Sequence, residues 1–283
     1  MVKVAAIQMS MSENQSSNIN KAINFVREAS KNGANIILLP ELFSSLYFCK
    51  DMDEKYFSWA HPLKNNKLIK QFSDLAKELK VVLLVSYFEK ETSLDYFNSL
   101  VVINSDGSIM DNYRKTHIPD GPGYEEKFYF KAGDTGFKVY ETTYGKIGVG
   151  ICWDQWFCET ARALALKGAE IIFYPTAIGS EPEIHLDSKE HWQRVQMGHA
   201  ATNTVPVVVA NRIGKEIGKS CEITFYGSSF ITNYTGAKIA EASRDTEEII
   251  YADFDLEENA SQREYWGLLR DRKPSMYEQL TQE

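Results

Sequence analysis

One eight-residue pattern occurs twice in this chain: Gly33-Ala34-Asn35-Ile36-Ile37-Leu38-Leu39-Pro40 returns as Gly168-Ala169-Glu170-Ile171-Ile172-Phe173-Tyr174-Pro175. Each copy follows a helical stretch and reads as a glycine stop, a short apolar strand and a proline that ends it. Duplication and independent use of the same tight helix-to-strand chemistry both account for the match. Under either, the chain holds helix-then-buried-strand units, which demand sheets covered by helices. The residues just past each proline sit at the carboxyl end of a strand, where open α/β sheets gather their ligands. Glu41 holds that place in the first copy.

The wider pattern agrees. Branched and apolar runs recur at 2–9, 35–39, 81–88, 96–104, 146–152, 170–174, 205–210, 228–233 and 248–254, each short enough for a strand. Ile19, Ala22, Ile23, Val26 and Ala29 share one helical face, and Leu68, Ile69, Phe72, Leu75, Ala76 and Leu79 share another. With strand pairs expected at 81–104 and 225–254, the reading is an α/β fold of mixed sheets under helices, one domain over 1–283.

Composition removes several functions. A net charge of −8 opposes the phosphate-driven binding of nucleic acids, and it favours cationic small molecules. The start of the chain lacks the apolar core and small-residue cleavage site of a secretory signal, and the run at 81–85 is far short of the roughly 18 residues that suggest a membrane span. No membrane association is expected, and the expected location is cytoplasmic. Cys49, Cys152, Cys158 and Cys221 form no CxxC pair and read as reduced thiols.

Cys152 ends the run Ile147-Gly148-Val149-Gly150-Ile151 and precedes Trp153-Asp154-Gln155-Trp156 and a helical pattern through Ala161, Leu164 and Ala165. A thiol at such a strand-to-helix turn is exposed at the sheet edge beside backbone N–H groups that can hold an oxyanion. A lone cysteine is otherwise a small buried hydrophobe. Glu41 changes the balance, because an acid that closes a buried strand needs a partner or a polar cleft. Lys115, in Tyr113-Arg114-Lys115-Thr116-His117, supplies a cation after the pair of strands around Val101.

These segments together resemble the nitrilase superfamily of carbon-nitrogen hydrolases, whose catalytic Glu, Lys and Cys follow one another in that order. The resemblance runs from Ala5-Ala6-Ile7-Gln8 to Trp266-Gly267-Leu268-Leu269-Arg270. It implies a four-layer α-β-β-α sandwich and a catalytic set of Glu41, Lys115 and Cys152. It also implies a second acid at Glu126, for which the adjacent Glu125 is a rival. Neither metal nor organic cofactor is implied. A homo-oligomer is, with the segment from about 257 contributing contacts. Within the superfamily, the stretches 121–130, 176–182 and 191–194 resemble N-carbamoylputrescine amidases, while Ser44-Ser45-Leu46 departs from the commoner form at the expected pocket lip.

Amide and ureido carbonyls are poor electrophiles, so hydrolysis needs a strong nucleophile, a proton donor for the leaving nitrogen and an oxyanion site. Cys152 fits the first need, and Lys115 with a helix N-terminus is expected to lower its pKa toward the thiolate. Glu41 suits proton transfer both ways. Lys115 and the backbone N–H of Trp153 suit the oxyanion. Glu181, a few residues past the strand at 170–174, and Asp120, in a Pro/Gly-rich loop after Lys115, are expected to bind the ammonium of a cationic carbamoyl amine, with Tyr47 shaping the lip. An ω-amidase or β-ureidopropionase-like enzyme would instead need an arginine for a distal carboxylate. A silent binding module would keep Glu41 and Lys115 as a structural pair. A zinc hydrolase would use His185, His191 and His199, whose spacing matches no HExxH pattern.

Overall fold

The computed structural model describes residues 1–182, 186–219 and 221–282. One sheet contains β1 (Val2–Ser10), β2 (Ile36–Leu38), β3 (Val82–Lys90), β4 (Tyr96–Ile103) and β5 (Ile109–Arg114), side by side in that order. The other holds β6 (Val139–Thr142), β7 (Gly145–Val149), β8 (Ile171–Pro175) and β9 (Val207–Ala210). The chain then returns to the first sheet as β10 (Arg212–Ile217) and β11 (Glu222–Tyr226), and to the second as β12 (Phe230–Thr232) and β13 (Lys238–Glu241). It ends in the first with β14 (Glu248–Phe254), antiparallel to β1.

Both copies of the repeat sit between parallel neighbours: β2 lies between β1 and β3, and β8 between β7 and β9. Their unbroken apolar runs follow from burial on both faces. Side-chain alternation shows what lies on each. Ile36 and Leu38 join Ile147, Val149, Ile171 and Phe173 in a core between the two sheets. Ile37 and Leu39 instead meet Ala22, Val26, Phe72 and Ala76 from α1 (Gln15–Lys31) and α2 (Lys67–Leu79). Ile172 and Tyr174 turn outward to Ala161, Leu164, Trp192 and Ala200 from α4 (Cys158–Leu166) and α5 (Lys189–Asn203), which follow the one-turn α3 (Glu126–Tyr129). Helices, sheet, sheet and helices form the four layers.

Local chemistry sets the element ends. Asn14 caps α1 by accepting the backbone N–H of Ser17, and Gly33, at φ 86°, takes the left-handed position past its end. α1 therefore starts before the apolar face read at Ile19. The strand pairing expected over 225–254 is split: β12 pairs with β13, but β14 crosses to the other sheet, because its register aligns Val2 through Gln8 with Phe254 through Glu248. Periodicity reports a strand's faces but not its neighbours. α6 (Leu256–Trp266) closes the chain and buries only Asn259 among its residues.

Candidate active site

Four strand ends converge on one buried polar cluster. Glu41 follows β2, Lys115 follows β5, Cys152 follows β7, and Ala177 follows β8, the second copy of the repeat. Glu41, Lys115 and Glu126 are each fully buried. Lys115 Nζ donates to Glu41 Oε1 at 2.9 Å and to Glu126 Oε2 and Oε1 at 2.6 and 2.9 Å. Burial alone would push the Lys115 ammonium down. The two facing carboxylates, Glu126 above all, outweigh that and hold it well above the ordinary lysine value. Burial pushes the Glu126 carboxyl up, opposed by Lys115.

Position separates Glu125 from Glu126: Glu126 starts α3 facing Lys115, while Glu125 stays partly exposed. Glu41 Oε1 also accepts Asn98 Nδ2 from β4 at 2.7 Å, whereas its buried Oε2 has no hydrogen-bond partner among the described residues. Gly133 lets the backbone close over this cluster. A Cβ there would stand 2.1 Å from the carbonyl of Arg114, and its own N–H donates to the carbonyl of Lys115 at 2.8 Å.

Cys152 is the strained member, with φ 42° in the left-handed region that L residues avoid and only 7% exposure. The turn needs Gly150, where a Cβ would meet the Tyr174 ring at 2.7 Å. Two expectations about this thiol require correction. It does not open an α-helix: a 3-10 turn covers Cys152–Trp156, and α4 begins only at Cys158. Nor is its pKa lowered. Burial pushes the thiol up, the Glu41 charge adds to the rise, and Lys115 offsets only part of it. Burial thus favours the neutral thiol.

Asp154, fully buried, pins this turn to the Lys115 segment. Its Oδ2 accepts the backbone N–H of Ile151 at 2.9 Å and the Tyr113 hydroxyl at 2.7 Å, and its Oδ1 accepts the backbone N–H of His117 at 2.9 Å. Asp154 and Asn98 were not expected from sequence. An acid two places past the cysteine in an apolar stretch was the available signal, while Asn98 in β4 left none.

A cavity of about 230 Å³ opens over Cys152 and is lined also by Asp120, Tyr124, Glu126, Trp153, Trp156 and Glu181. Asp120 and Glu181 thus reach the same space as the thiol, and burial pushes the Glu181 carboxyl up. None of the described lining side chains is Arg or Lys. Tyr47 is not at the lip. It is fully buried beneath the site, where its hydroxyl donates to Glu126 Oε1 at 2.7 Å. Its ring packs against Tyr124 and Phe225, and that aromatic contact drew it inward.

Of the three histidines considered as metal ligands, His185 lies outside the described residues. His191 packs on the Trp156 ring, and His199 Nε2 is 2.9 Å from the carbonyl of Gln155. Among the described residues no group of three or more His, Cys, Asp or Glu side chains could hold a metal ion.

The sequence pattern of the carbon-nitrogen hydrolase family matches residues 3–264. The chain belongs to this family. As a carbon-nitrogen hydrolase it acts on non-peptide C–N bonds. Its fold superposes on a carbon-nitrogen hydrolase from Helicobacter pylori G27 with a TM-score of 0.92 at 40% identity, covering 100% of this chain and 99% of that one. The hydrolase is also 53% identical to a citrullinase from Francisella tularensis over 99% of this chain and 98% of that protein. To the N-carbamoylputrescine amidase of Arabidopsis thaliana it is 53% identical over 99% of this chain and 95% of that protein.

Proposed function

We propose that this hydrolase cleaves the ureido group of a cationic carbamoyl amine, N-carbamoylputrescine, to putrescine, ammonia and carbon dioxide. One observation carries the reading: Cys152 shares a cavity with Asp120 and Glu181, besides the Lys115-bound Glu126, and with no basic side chain among the described lining residues. Glu181 is half-buried and burial raises its carboxyl, whereas Asp120 is exposed, so a substrate ammonium beside Glu181 offsets the cost of that burial through charge-assisted hydrogen bonds. The absence of an arginine there weighs against an ω-amidase or β-ureidopropionase type of substrate. Kinship at 53% identity to an N-carbamoylputrescine amidase supports the same choice.

The chemistry follows from the cluster. Cys152 transfers its proton to Glu41 as the sulfur attacks the ureido carbon. Lys115 and the backbone N–H of Trp153 take the oxyanion charge, and Glu41 returns the proton to the departing nitrogen as ammonia leaves. Water, activated by Glu41, then splits the S-carbamoyl intermediate to a carbamic acid, which releases carbon dioxide and the amine. Glu126 keeps Lys115 charged and in place. Reaction through a reduced thiol fits the cytoplasm. The exposed side chains of Tyr265, Trp266 and Leu268, in the segment from 257 onward, support self-association of this single domain into a homo-oligomer.

A second reading is citrulline, favoured by the 53% identity to a citrullinase. Citrulline is the same carbamoyl amine with a carboxylate beside the ammonium, and Asp120 and Glu181 would repel that group. The test measures kcat/KM for N-carbamoylputrescine, citrulline and an uncharged carbamoyl alkane in wild type and Glu181→Gln. A selective loss of about 2 kcal/mol on the cationic substrate supports the ammonium contact. Equal losses on all three, or none, reject it, and a wild-type preference for citrulline replaces the substrate.

A further inference from the structure

Arg212 and Glu216 stand four residues apart on β10, both turned inward, with side chains 0% and 4% exposed. Neither lines the cavity over Cys152. Arg212 Nη1 donates to Glu216 Oε1 at 3.0 Å and to the backbone carbonyl of Ser45 at 3.3 Å. Its Nη2 donates to the backbone carbonyls of Glu41 at 2.6 Å and Leu42 at 3.3 Å. Glu216 Oε2 accepts the backbone N–H of Tyr47 at 2.7 Å, and Lys50 Nζ, 3.4 Å away, also donates to the carbonyl of Tyr47 at 3.0 Å. One ion pair thus grips the backbone at 41, 42, 45 and 47.

The gripped turn is not one its own sequence would hold. Leu42, next to Glu41, has φ 48°, the left-handed region that costs any residue with a Cβ. Several carbonyls of the turn point into the buried guanidinium rather than to water, and only a planar fork of donors can serve them together. A buried ion pair is a poor device for stability, since an apolar pair of like volume often does as well. What it supplies is a fixed backbone.

We infer that Arg212 and Glu216 are a positioning pair for the reaction: they set the backbone of Glu41 so that its carboxylate meets the Cys152 thiol. Through Tyr47 they also set Glu126 against Lys115. The inference rests on the proposed roles of Glu41 and Glu126, and misplacing such a group by about 1 Å costs roughly 10²-fold in rate.

Arg212→Lys keeps the charge and loses the fork. Glu216→Gln keeps an oxygen for the Tyr47 N–H and loses the charge. Both are compared with wild type and Glu41→Gln on whichever carbamoyl amine the wild type turns over fastest, with kcat expressed per folded molecule from circular dichroism. Arg212→Lys is expected to lower kcat about 10²-fold and Glu216→Gln about tenfold, with KM within about twofold because the proposed tail-binding acids line the cavity and the pair does not. If Glu41→Gln keeps wild-type turnover, the underlying role of Glu41 is wrong. If Glu41→Gln is inactive but the folded pair variants keep wild-type kcat, or lose it only in step with KM, the positioning role is overturned. Should Arg212→Lys fail to fold, Glu216→Gln decides by the same split. Failure of both to fold also overturns the inference, because the pair is then a requirement of the fold.

Discussion

The Tyr47 hydroxyl donates to Glu126 Oε1 across 2.7 Å, with both side chains sealed from solvent. Glu126 in turn holds Lys115, so Tyr47→Phe removes a support two contacts away from Lys115. We expect kcat to fall about tenfold, equivalent to about 1.4 kcal/mol of barrier, with KM little changed. The Tyr47 hydrogen bond holds the Glu126 carboxyl down against burial, so its loss raises that group further and moves the acid limb of the kcat profile to higher pH. Glu126→Gln removes the charge itself and loses far more activity. A wild-type pH profile in Tyr47→Phe rejects the link.

Cys152→Ala abolishes turnover, while Cys158→Ala, at an exposed position outside the cavity, stays near wild type. The reverse result moves the nucleophile to α4.

Glu41→Gln and Lys115→Ala each lose turnover, but they differ in stability. Glu41→Gln keeps the shape and the acceptor for Asn98 Nδ2 and leaves Lys115 its partner Glu126, so its circular dichroism matches wild type and its melting falls less than that of Lys115→Ala. Lys115→Ala removes an oxyanion donor, at about 3–4 kcal/mol of transition-state stabilisation. It also leaves two buried acids without their cation, which lowers Tm, since breaking a buried pair costs about 3–5 kcal/mol. Near-normal turnover in either folded variant removes that residue from the mechanism.

The raised Cys152 pKa gives a labelling experiment with a definite sign. Less thiolate is present at a given pH than for a free cysteine, so iodoacetamide labelling of Cys152 is slow at neutral pH and climbs with pH through the alkaline range. Slow labelling at neutral pH therefore does not mark a silent thiol in this protein. Because the Glu41 charge contributes to the rise, Glu41→Gln should label faster at fixed pH while turning over more slowly. A labelling rate that levels off by about pH 10, as it does for an unperturbed thiol of pKa about 8.5, contradicts the buried neutral thiol.

Tyr265 and Trp266 are 82% and 59% exposed at the end of α6. Light scattering should find a stable oligomer, and Trp266→Glu should shift it toward monomer. A wild-type monomer at working concentration rejects the interface.

The sequence alone marked the strands β1–β4, β7–β9, β12 and β14 and the helices α1, α2 and α4, and its resemblance to the family pointed to Glu41, Lys115 and Cys152. The elements, Glu41 and Cys152 rest on local signals, an apolar period, a glycine or proline stop, or a polar residue closing a buried run, whereas Lys115 rests on the resemblance. The repeat at Gly33 and Gly168 went further, because each copy ends at a strand terminus that feeds the site. Tertiary structure alone decided what these residues touch. Asn98 meets Glu41 across 57 residues of chain, Tyr47 meets Glu126 across 79, and Arg212 reaches the carbonyl of Glu41 across 171. Such contacts leave no periodicity, since a buried hydrogen bond depends on where two strand ends meet and not on the residues beside either. The thiol was misjudged for the same reason. The charges near Cys152 were legible, but the burial that outweighs Lys115 exists only once the sheets have packed.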